Sequence, residues 1–96
     1  MKYYFVAQIR IHDEKEYSKY LDKVDEVFEK FNGRYLAVDT EPVRLEGSWD
    51  YSKSVIIEFD SRKDFDDWYF SKEYQAILKH RLDASTSDSI LLEGFE

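Results

Sequence analysis

The order of strand-like and helix-like patterns is the feature that most restricts the fold of this chain. Residues 3–11 alternate between two faces, as strands do, and one face carries Phe5, Ala7, Ile9 and Ile11. Further strands are predicted over residues 34–38, 54–59 and 89–93. Apolar residues at helical spacing fill the stretches between the first two strands and between the last two. The order is therefore strand, helix, strand, strand, helix, strand.

Capping residues indicate where the two helices begin. Asp13 with Glu16 three residues later forms an N-cap pair that opens the first helix. Ser61 with Asp64 opens the second helix in the same way. Ser71 is a further N-cap signal within that second helix, so we predict a break near this residue.

Other local signals indicate helix ends and a short ribbon. Gly33, after Asn32, predicts the C-cap of the first helix, because glycine adopts the left-handed conformation without steric cost. Residues 43–46 are predicted to form a short continuation of the second strand or an edge ribbon, since proline at position 42 is tolerated at an edge. The last helix is expected to bury Tyr74, Ile77, Leu78 and Leu82.

Right-handed crossovers turn this order into a four-stranded antiparallel sheet with both helices on one face. We therefore predict an α+β, ferredoxin-like βαββαβ fold, with residues 1–96 forming one domain. The expected core face of the sheet carries Phe5, Ala7, Ile9, Val55, Ile57, Phe59, Ile90 and Leu92. The opposite face is expected to carry Tyr4, Val6, Gln8, Ile56, Glu58, Leu91 and Glu93.

The second face of the sheet predicts a partner. It is too apolar to remain in water, where each Å² costs on the order of 25 cal/mol. Two such sheets packed face to face form a closed barrel, so we predict a homodimeric α/β barrel with a two-fold axis. The alternative is a monomer whose second face is half exposed, as in many antiparallel sheets.

The composition excludes several classes of function. The 96 residues include no cysteine, which excludes disulfides, thiol nucleophiles and thiolate zinc sites. The formal charge of −7 disfavours nucleic acid as a partner, because its phosphates would be repelled. No signal peptide or membrane-length apolar run is found, so we expect a cytoplasmic protein with no membrane partner. Phosphate loops and metal-binding loops are absent from the sequence, and no cofactor is predicted.

Two carboxylates are the candidate catalytic residues. Glu58 and Glu93 are predicted to share the face of Gln8 on neighbouring strands. Burial in a dry cavity raises the pKa of a carboxyl group, so either residue could act as a general acid or base. The alternative is that both groups lie at a solvated barrel mouth or form ion pairs with Arg10, Arg34 or Arg81.

Two arginines are the candidate anion-binding residues. Arg81 lies late in the second helix and Arg34 opens the second strand, and a guanidinium can hold an acidic ligand through two parallel hydrogen bonds. The alternative is a structural tie between helix, strand and a nearby carboxylate such as Glu46. Glu46 is also included in the predicted ligand-binding set, in which Tyr17 and Trp49 shape the pocket.

The two histidines give no metal site. His12 and His80 stand alone, without the further donors that a metal ion requires at suitable spacing. Surface or capping roles are therefore expected for both. The sequence leaves open the alternative that His80 ligates a haem.

Short sequence motifs are spread along nearly the whole chain, and their order and spacing, taken together, are characteristic of one family. They are Tyr17, Gly33-Arg34-Tyr35-Leu36, Glu46-Gly47-Ser48-Trp49, Glu58-Phe59, Trp68-Tyr69 with Ser71, Glu73-Tyr74-Gln75, Arg81-Leu82 and Glu93-Gly94. In this order they resemble the domain-of-unknown-function family 1330, a member of the dimeric α/β-barrel superfamily. The chain departs from that family at Glu14, Asn32 and Lys72, where the family often has Pro, Gly and Pro.

The resemblance implies a homodimeric barrel of uncharacterised activity. Relatives in the wider superfamily are similar to cofactor-independent monooxygenases, lactone isomerases, haem-handling proteins and ligand-sensing modules, and a shared fold does not choose among them. Our first hypothesis is a dimer that binds a small organic molecule and performs cofactor-independent acid/base chemistry on it. The alternative is a non-catalytic ligand-binding or regulatory module, favoured if Tyr4, Val6, Ile56 and Leu91 fill the barrel interior, and a third is an assembly protein.

Overall fold

Four strands and three helices make up the fold in the computed structural model, which describes residues 1–95. In chain order they are β1 (Tyr3–Ile11), α1 (Glu14–Phe28), β2 (Gly33–Asp39), β3 (Lys53–Phe59), α2 (Arg62–Tyr69), α3 (Lys72–Ala84) and β4 (Ser85–Glu93). The sheet has the order β2-β3-β1-β4, and every neighbouring pair is antiparallel. The predicted ferredoxin-like α+β fold is therefore confirmed.

All three predicted N-caps are present. The Asp13 side chain accepts a hydrogen bond from the Glu16 amide, and Ser61 accepts one from the Asp64 amide. Ser71 accepts from the Tyr74 amide and thereby separates α2 from α3, which confirms the predicted break. Each cap satisfies an amide that the helix itself cannot pair.

An aromatic core fills the space between the helices and one face of the sheet, which we call the core face. Trp68 is 1% exposed and lies between Phe59, with ring centroids 5.5 Å apart, and Tyr74, at 4.3 Å. The core face of β1 and β3 is the predicted one, with these residues buried: Phe5, Ala7, Ile9, Val55, Ile57 and Phe59. The opposite side of the sheet is called the outer face below.

The predicted orientation of β4 is wrong by one residue. Phe5 pairs with Leu91, so Leu91 packs on the core side, whereas Ile90 is 57% exposed and lies on the outer face with Leu92. The run Ile90-Leu91-Leu92 is apolar at every position and gives no alternation from which a face can be chosen. The register follows instead from the start of β4 at Ser85, which pairs with Ile11.

Gly33 has a different role from the predicted helix cap. Helix α1 ends at Phe28 with Glu29 as its C-cap, and Gly33 is the first residue of β2 without a positive φ. A Cβ at this position would lie 2.6 Å from the Phe59 ring and 2.7 Å from the Phe28 ring. Glycine is therefore required by the close approach of β2 to the aromatic core.

The connection between β2 and β3 contains no strand, so the predicted ribbon over 43–46 is wrong. Val43 is 83% exposed and Leu45 is 88% exposed in this connection. β-branched and apolar residues suggested a strand there, but no neighbouring strand supplies hydrogen bonds to residues 43–46 within the described chain.

Candidate functional site

A cavity of about 340 Å³ lies on the core side of the sheet, between the sheet and the helices. Strands β1, β2 and β3 form its floor, α1 forms one wall, and α2 and α3 each contribute a side chain. The residues that line it are Phe5, Ala7, Ile9, Tyr17, Tyr20, Leu21, Val24, Asp25, Tyr35, Val38, Lys53, Val55, Ile57, Trp68 and Arg81. The sequence placed a ligand on the opposite face of the sheet, in the barrel interior.

Arg81 brings a buried positive charge to this cavity. The residue is only 3% exposed, and its Nη1 donates a hydrogen bond of 2.9 Å to the Ser87 hydroxyl. No carboxylate among residues 1–95 forms an ion pair with its guanidinium. A buried charge without a counter-ion is costly, so this arrangement suits an anion bound from outside the chain.

The inward direction of Arg81 corrects the predicted face of α3. Tyr74, Ile77 and Leu78 are buried as predicted, but the next inward position is Arg81, and Leu82 is 55% exposed. Arg81 lies seven residues after Tyr74, which returns it to the same side of the helix. Leu82 was expected to face inward because it is apolar, but the neighbouring Arg81 takes that position.

Trp68 supplies a second donor in the cavity wall. Its indole Nε1 is buried and has no hydrogen-bond partner among the described residues. Buried donors are nearly always paired, so this N–H needs an acceptor that the described protein atoms do not provide. Trp68 and Arg81 line the same cavity.

The tyrosines of the cavity do not neutralise the guanidinium. Burial raises the pKa of Tyr17 to about 12 and also raises that of Tyr20 well above its usual range. The Tyr20 hydroxyl lies 2.8 Å from the Tyr74 hydroxyl, in a buried hydrogen bond. Both phenols therefore remain protonated at neutral pH, when they act as neutral hydrogen-bonding groups.

Lys53 is a cavity residue that the sequence reasoning missed. It pairs with Ile9 and so belongs to the core face of β3, and its Nζ lies 5.3 Å from the centre of the Tyr17 ring. Burial lowers the pKa of this amine, against the attraction of Asp25 and Glu14. The available signal was its period-two spacing with Val55 and Ile57, which puts a lysine in a series of core residues.

Glu58 and Arg34 are brought together, but on the outer face. The Arg34 guanidinium lies 2.8 Å from Glu58 and 2.6 Å from Asp60, which also pairs with Lys2 at 2.8 Å. The hydrogen bond from Arg34 lowers the pKa of Glu58, and Lys2 followed by Arg34 lowers that of Asp60 to about 2. Glu58 therefore forms the ion pair that was the alternative to a catalytic role. Its pKa is lowered and not raised.

Glu93 does not share a face with Glu58, so that prediction is wrong. Glu93 pairs with Tyr3 and lies on the same face of β4 as Leu91, which is the core face. The Tyr3 hydroxyl donates a hydrogen bond of 3.4 Å to the Glu93 carboxylate. The error follows from the one-residue shift of β4. The catalytic roles of Glu58 and Glu93 remain predictions, but the two carboxylates cannot act on one bound molecule from the same side of the sheet.

The remaining predicted ligand residues lie in the connection between β2 and β3. Trp49 and Glu46 line a second hollow of about 220 Å³, together with residues 42–45. This hollow shares no lining residue with the larger cavity. Of the five predicted ligand residues, Tyr17 and Arg81 therefore share the larger cavity, Trp49 and Glu46 share the second hollow, and Arg34 lines neither.

The histidines take part in local contacts. His80 Nδ1 lies 2.6 Å from Glu16 Oε2 and so links α3 to α1, while the His12 amide donates to the Ala84 carbonyl at 2.9 Å. Residues 1–95 contain no group of three or more metal-ligating side chains.

No helix in the described part of the chain has the length and apolar character needed to cross a membrane.

Several solved structures share this fold. A protein of unknown function from Rhodopseudomonas palustris has a TM-score of 0.80 at 20% identity, covering 99% of this chain and 83% of that chain. A dimeric ferredoxin-like protein of unknown function from Jannaschia sp. CCS1 has a TM-score of 0.77 at 10% identity, with coverage of 98% and 100%. SnoaB, a cofactor-independent oxygenase from Streptomyces nogalater, has a TM-score of 0.71 at 16% identity, with coverage of 99% and 94%. At such identities the likeness is one of fold.

Sequence comparison gives the family directly. No curated protein matches the chain. The family described as "Domain of unknown function (DUF1330)" matches residues 2–95, which is nearly the whole sequence. The motifs from Tyr17 to Glu93 that resembled this family and the ferredoxin-like topology agree with the match. The chain belongs to the DUF1330 family.

Proposed function

We propose that this protein binds a small organic acid with an aromatic ring in the cavity between α1 and the sheet. One observation carries the proposal: the Arg81 guanidinium lines this cavity, is buried, and has no carboxylate partner among the described residues. A bound carboxylate or phenolate would supply the missing counter-charge. The orphan indole N–H of Trp68 supports the same ligand, because it also requires an acceptor.

The shape and lining of the cavity support an aromatic ligand. Its volume of about 340 Å³ suits a molecule of one or two rings. The aromatic side chains of Tyr17 and Tyr20 from α1 and of Trp68 from α2 offer ring faces and edges for stacking.

We propose further that the protein is a homodimer joined through the outer faces of two sheets. Val6 pairs with both Ile56 and Ile90, which gives an apolar row across three strands of the outer face. A second copy would cover this row, and a similar protein from Jannaschia sp. CCS1 is described as dimeric. The ligand cavity lies on the other side of the sheet, so each protomer would hold its own site.

Cofactor-independent chemistry on the bound acid is a second candidate function. The Tyr20 hydroxyl favours it, because Tyr20 lines the cavity and its raised pKa keeps it protonated, as a hydrogen-bond donor to charge that develops on a ligand oxygen. SnoaB is described as a cofactor-independent oxygenase. Turnover that requires Tyr20 would be lost in Tyr20→Phe, whereas simple binding of the acid would persist.

Fluorescence of Trp68 tests the binding proposal. Replacing the other tryptophan in Trp49→Phe leaves Trp68 as the reporter within the cavity wall. We expect para-toluate to quench this emission in a saturable manner. The uncharged isostere para-toluamide should bind at least about tenfold more weakly, because a hydrogen bond to a charged group contributes roughly 1.5–3 kcal/mol. Equal affinity for the acid and the amide would contradict the proposal.

A further inference from the structure

Lys53 is a half-buried amine in the wall of a cavity that is otherwise largely aromatic and aliphatic. It is the first residue of β3, and its core-face position directs it toward α1, where Nζ lies 5.3 Å from the centre of the Tyr17 ring. No carboxylate among residues 1–95 forms an ion pair with this Nζ. The amine is therefore available to a molecule in the cavity.

The surroundings of Lys53 favour its neutral form more than those of other lysines. Burial lowers the pKa of Lys53, and only the more distant charges of Asp25 and Glu14 oppose this effect. By contrast, the ion pair of Lys63 with Asp67 at 2.7 Å raises the pKa of Lys63. A neutral amine is a nucleophile, and lysines with a lowered pKa react with carbonyl carbons.

The amine and the guanidinium lie at different parts of the same cavity. Tyr17 and Tyr20 connect them, since the two ring centres are 5.7 Å apart and Arg81 Cζ lies 5.7 Å from the centre of the Tyr20 ring. Lys53 therefore lies beside Tyr17 and Arg81 beside Tyr20, so a ligand that reaches both cations needs two separate functional groups.

We propose that Lys53 forms an imine with the carbonyl group of an aromatic oxo acid whose acid group is held by Arg81. This inference rests on the proposed binding of an organic acid in the cavity, and it specifies the ligand class. The carbonyl and the acid group are on opposite ends of the ring.

The chemistry is a condensation that needs no further reactant. The lone pair of the neutral Lys53 amine attacks the carbonyl carbon, which forms the C–N bond and moves the carbonyl electrons to oxygen. A proton then passes from nitrogen to this oxygen to give a carbinolamine. Its hydroxyl takes up a second proton and leaves as water while the nitrogen lone pair forms the C=N bond, and the nitrogen releases its remaining proton. The product is an imine between Lys53 and the ligand, which reverses on hydrolysis.

Reductive trapping with para-formylbenzoate tests the inference. Sodium cyanoborohydride converts an imine into a stable secondary amine, whose added mass is that of the aldehyde acid less one oxygen atom. Peptide mapping by mass spectrometry then gives the extent of labelling at each lysine. We expect Lys53 of the unaltered protein to carry several-fold more label than the exposed Lys30 and Lys63. Equal or lower labelling at Lys53 would overturn the inference, and this comparison needs no variant.

Matched reagents separate this inference from the proposed function. An excess of para-toluate should suppress labelling at Lys53 and leave Lys63 unchanged, and para-tolualdehyde, which has no acid group, should label Lys53 several-fold less. Binding of para-toluate to Trp68 without preferential labelling of Lys53 would overturn the imine alone. Preferential labelling by both aldehydes without para-toluate binding would overturn the acid-binding proposal and, with it, the oxo-acid class assigned here.

The variant Lys53→Arg gives an independent control. Arginine keeps the positive charge but forms no such imine, so label at this position should be lost while that on Lys63 is retained. Lys53→Met, which keeps a similar length without the amine, should likewise lose the label at this position. A persistent mass increase on the peptide that contains position 53 in both variants would contradict the assignment.

Discussion

The guanidinium of Arg81 lies over the ring of Tyr20, with Cζ 5.7 Å from the ring centre, in the wall of the cavity between α1 and the sheet. This cation–π contact stabilises the charge, since a desolvated contact of this kind contributes about 2 kcal/mol or more. The Ser87 hydroxyl adds one hydrogen bond. Arg81 is therefore a buried cation that has no carboxylate partner among residues 1–95.

Replacing Arg81 should weaken ligand binding without a matching loss of stability. We expect Arg81→Met to weaken para-toluate binding by about tenfold or more, because the charged hydrogen bond to the ligand is lost. Its melting temperature should stay within about 5 °C of the unaltered protein, since removal of an unpaired buried charge offsets the lost Ser87 contact. Fluorescence titration and thermal unfolding measure the two effects. A matched loss of stability and affinity would mean that Arg81 is a purely structural residue.

The ion pairs of Asp60 should make stability fall in acid. Lys2 and Arg34 lower the pKa of Asp60 from 3.8 to about 2, so in this range the unfolded chain takes up a proton that the folded chain does not. Stability from this group is therefore present above pH 3.8 and is lost as the pH falls toward about 2. Urea unfolding across this range should show a shallower acid dependence in Asp60→Asn. Glu26→Gln, an exposed change on α1, is the control.

The outer face should determine the oligomeric state. Ile90→Glu places a carboxylate on this face at a position that is 57% exposed in one protomer. Dimer dissociation should rise by roughly a hundredfold or more, because burying an unpaired charge costs several kcal/mol. Light scattering across a dilution series measures the change. Leu82→Glu, at a similarly exposed position on α3, should leave the dimer unchanged. A monomer in the unaltered protein at micromolar concentration would contradict the dimer.

Replacement of Gly33 should destabilise the fold more than replacement of Gly47. Gly33→Ala brings a methyl group within 3 Å of the Phe59 and Phe28 rings, and we expect a loss of about 1–3 kcal/mol from the resulting displacement. Gly47→Asn is the comparison, because Gly47 has open space around it and a φ of 76°, which asparagine tolerates. Urea unfolding should show little change for Gly47→Asn. Equal losses in the two variants would exclude the steric explanation.

Local signals predicted the architecture because each is fixed by near neighbours in the chain. The N-caps at Asp13, Ser61 and Ser71 depend on contacts three residues away, and all three form. The orientation of β4 could not be predicted in the same way. Its three consecutive apolar residues have no preferred face until pairing with β1 sets the register, which is a contact across most of the sequence.

The candidate site was predicted only in part, and the reason is similar. Arg81 and Tyr17 were recognised as functional candidates from their residue type, and both line the cavity. Lys53 was not among them, because it lies just before the strand predicted over residues 54–59. Only the tertiary packing of α1 against β3 buries its side chain beside Tyr17.

The junction between α3 and β4 has a mechanical consequence. Ala84 ends the helix and Ser85 begins the strand, with no connecting loop, and the Ser85 hydroxyl donates to the backbone carbonyl of Arg81. The guanidinium of Arg81 in turn holds Ser87, three residues before Ile90. A displacement of Arg81 toward a bound molecule would therefore pull directly on the strand that carries the outer apolar row. We therefore expect ligand binding at Arg81 to change the strength of self-association through β4.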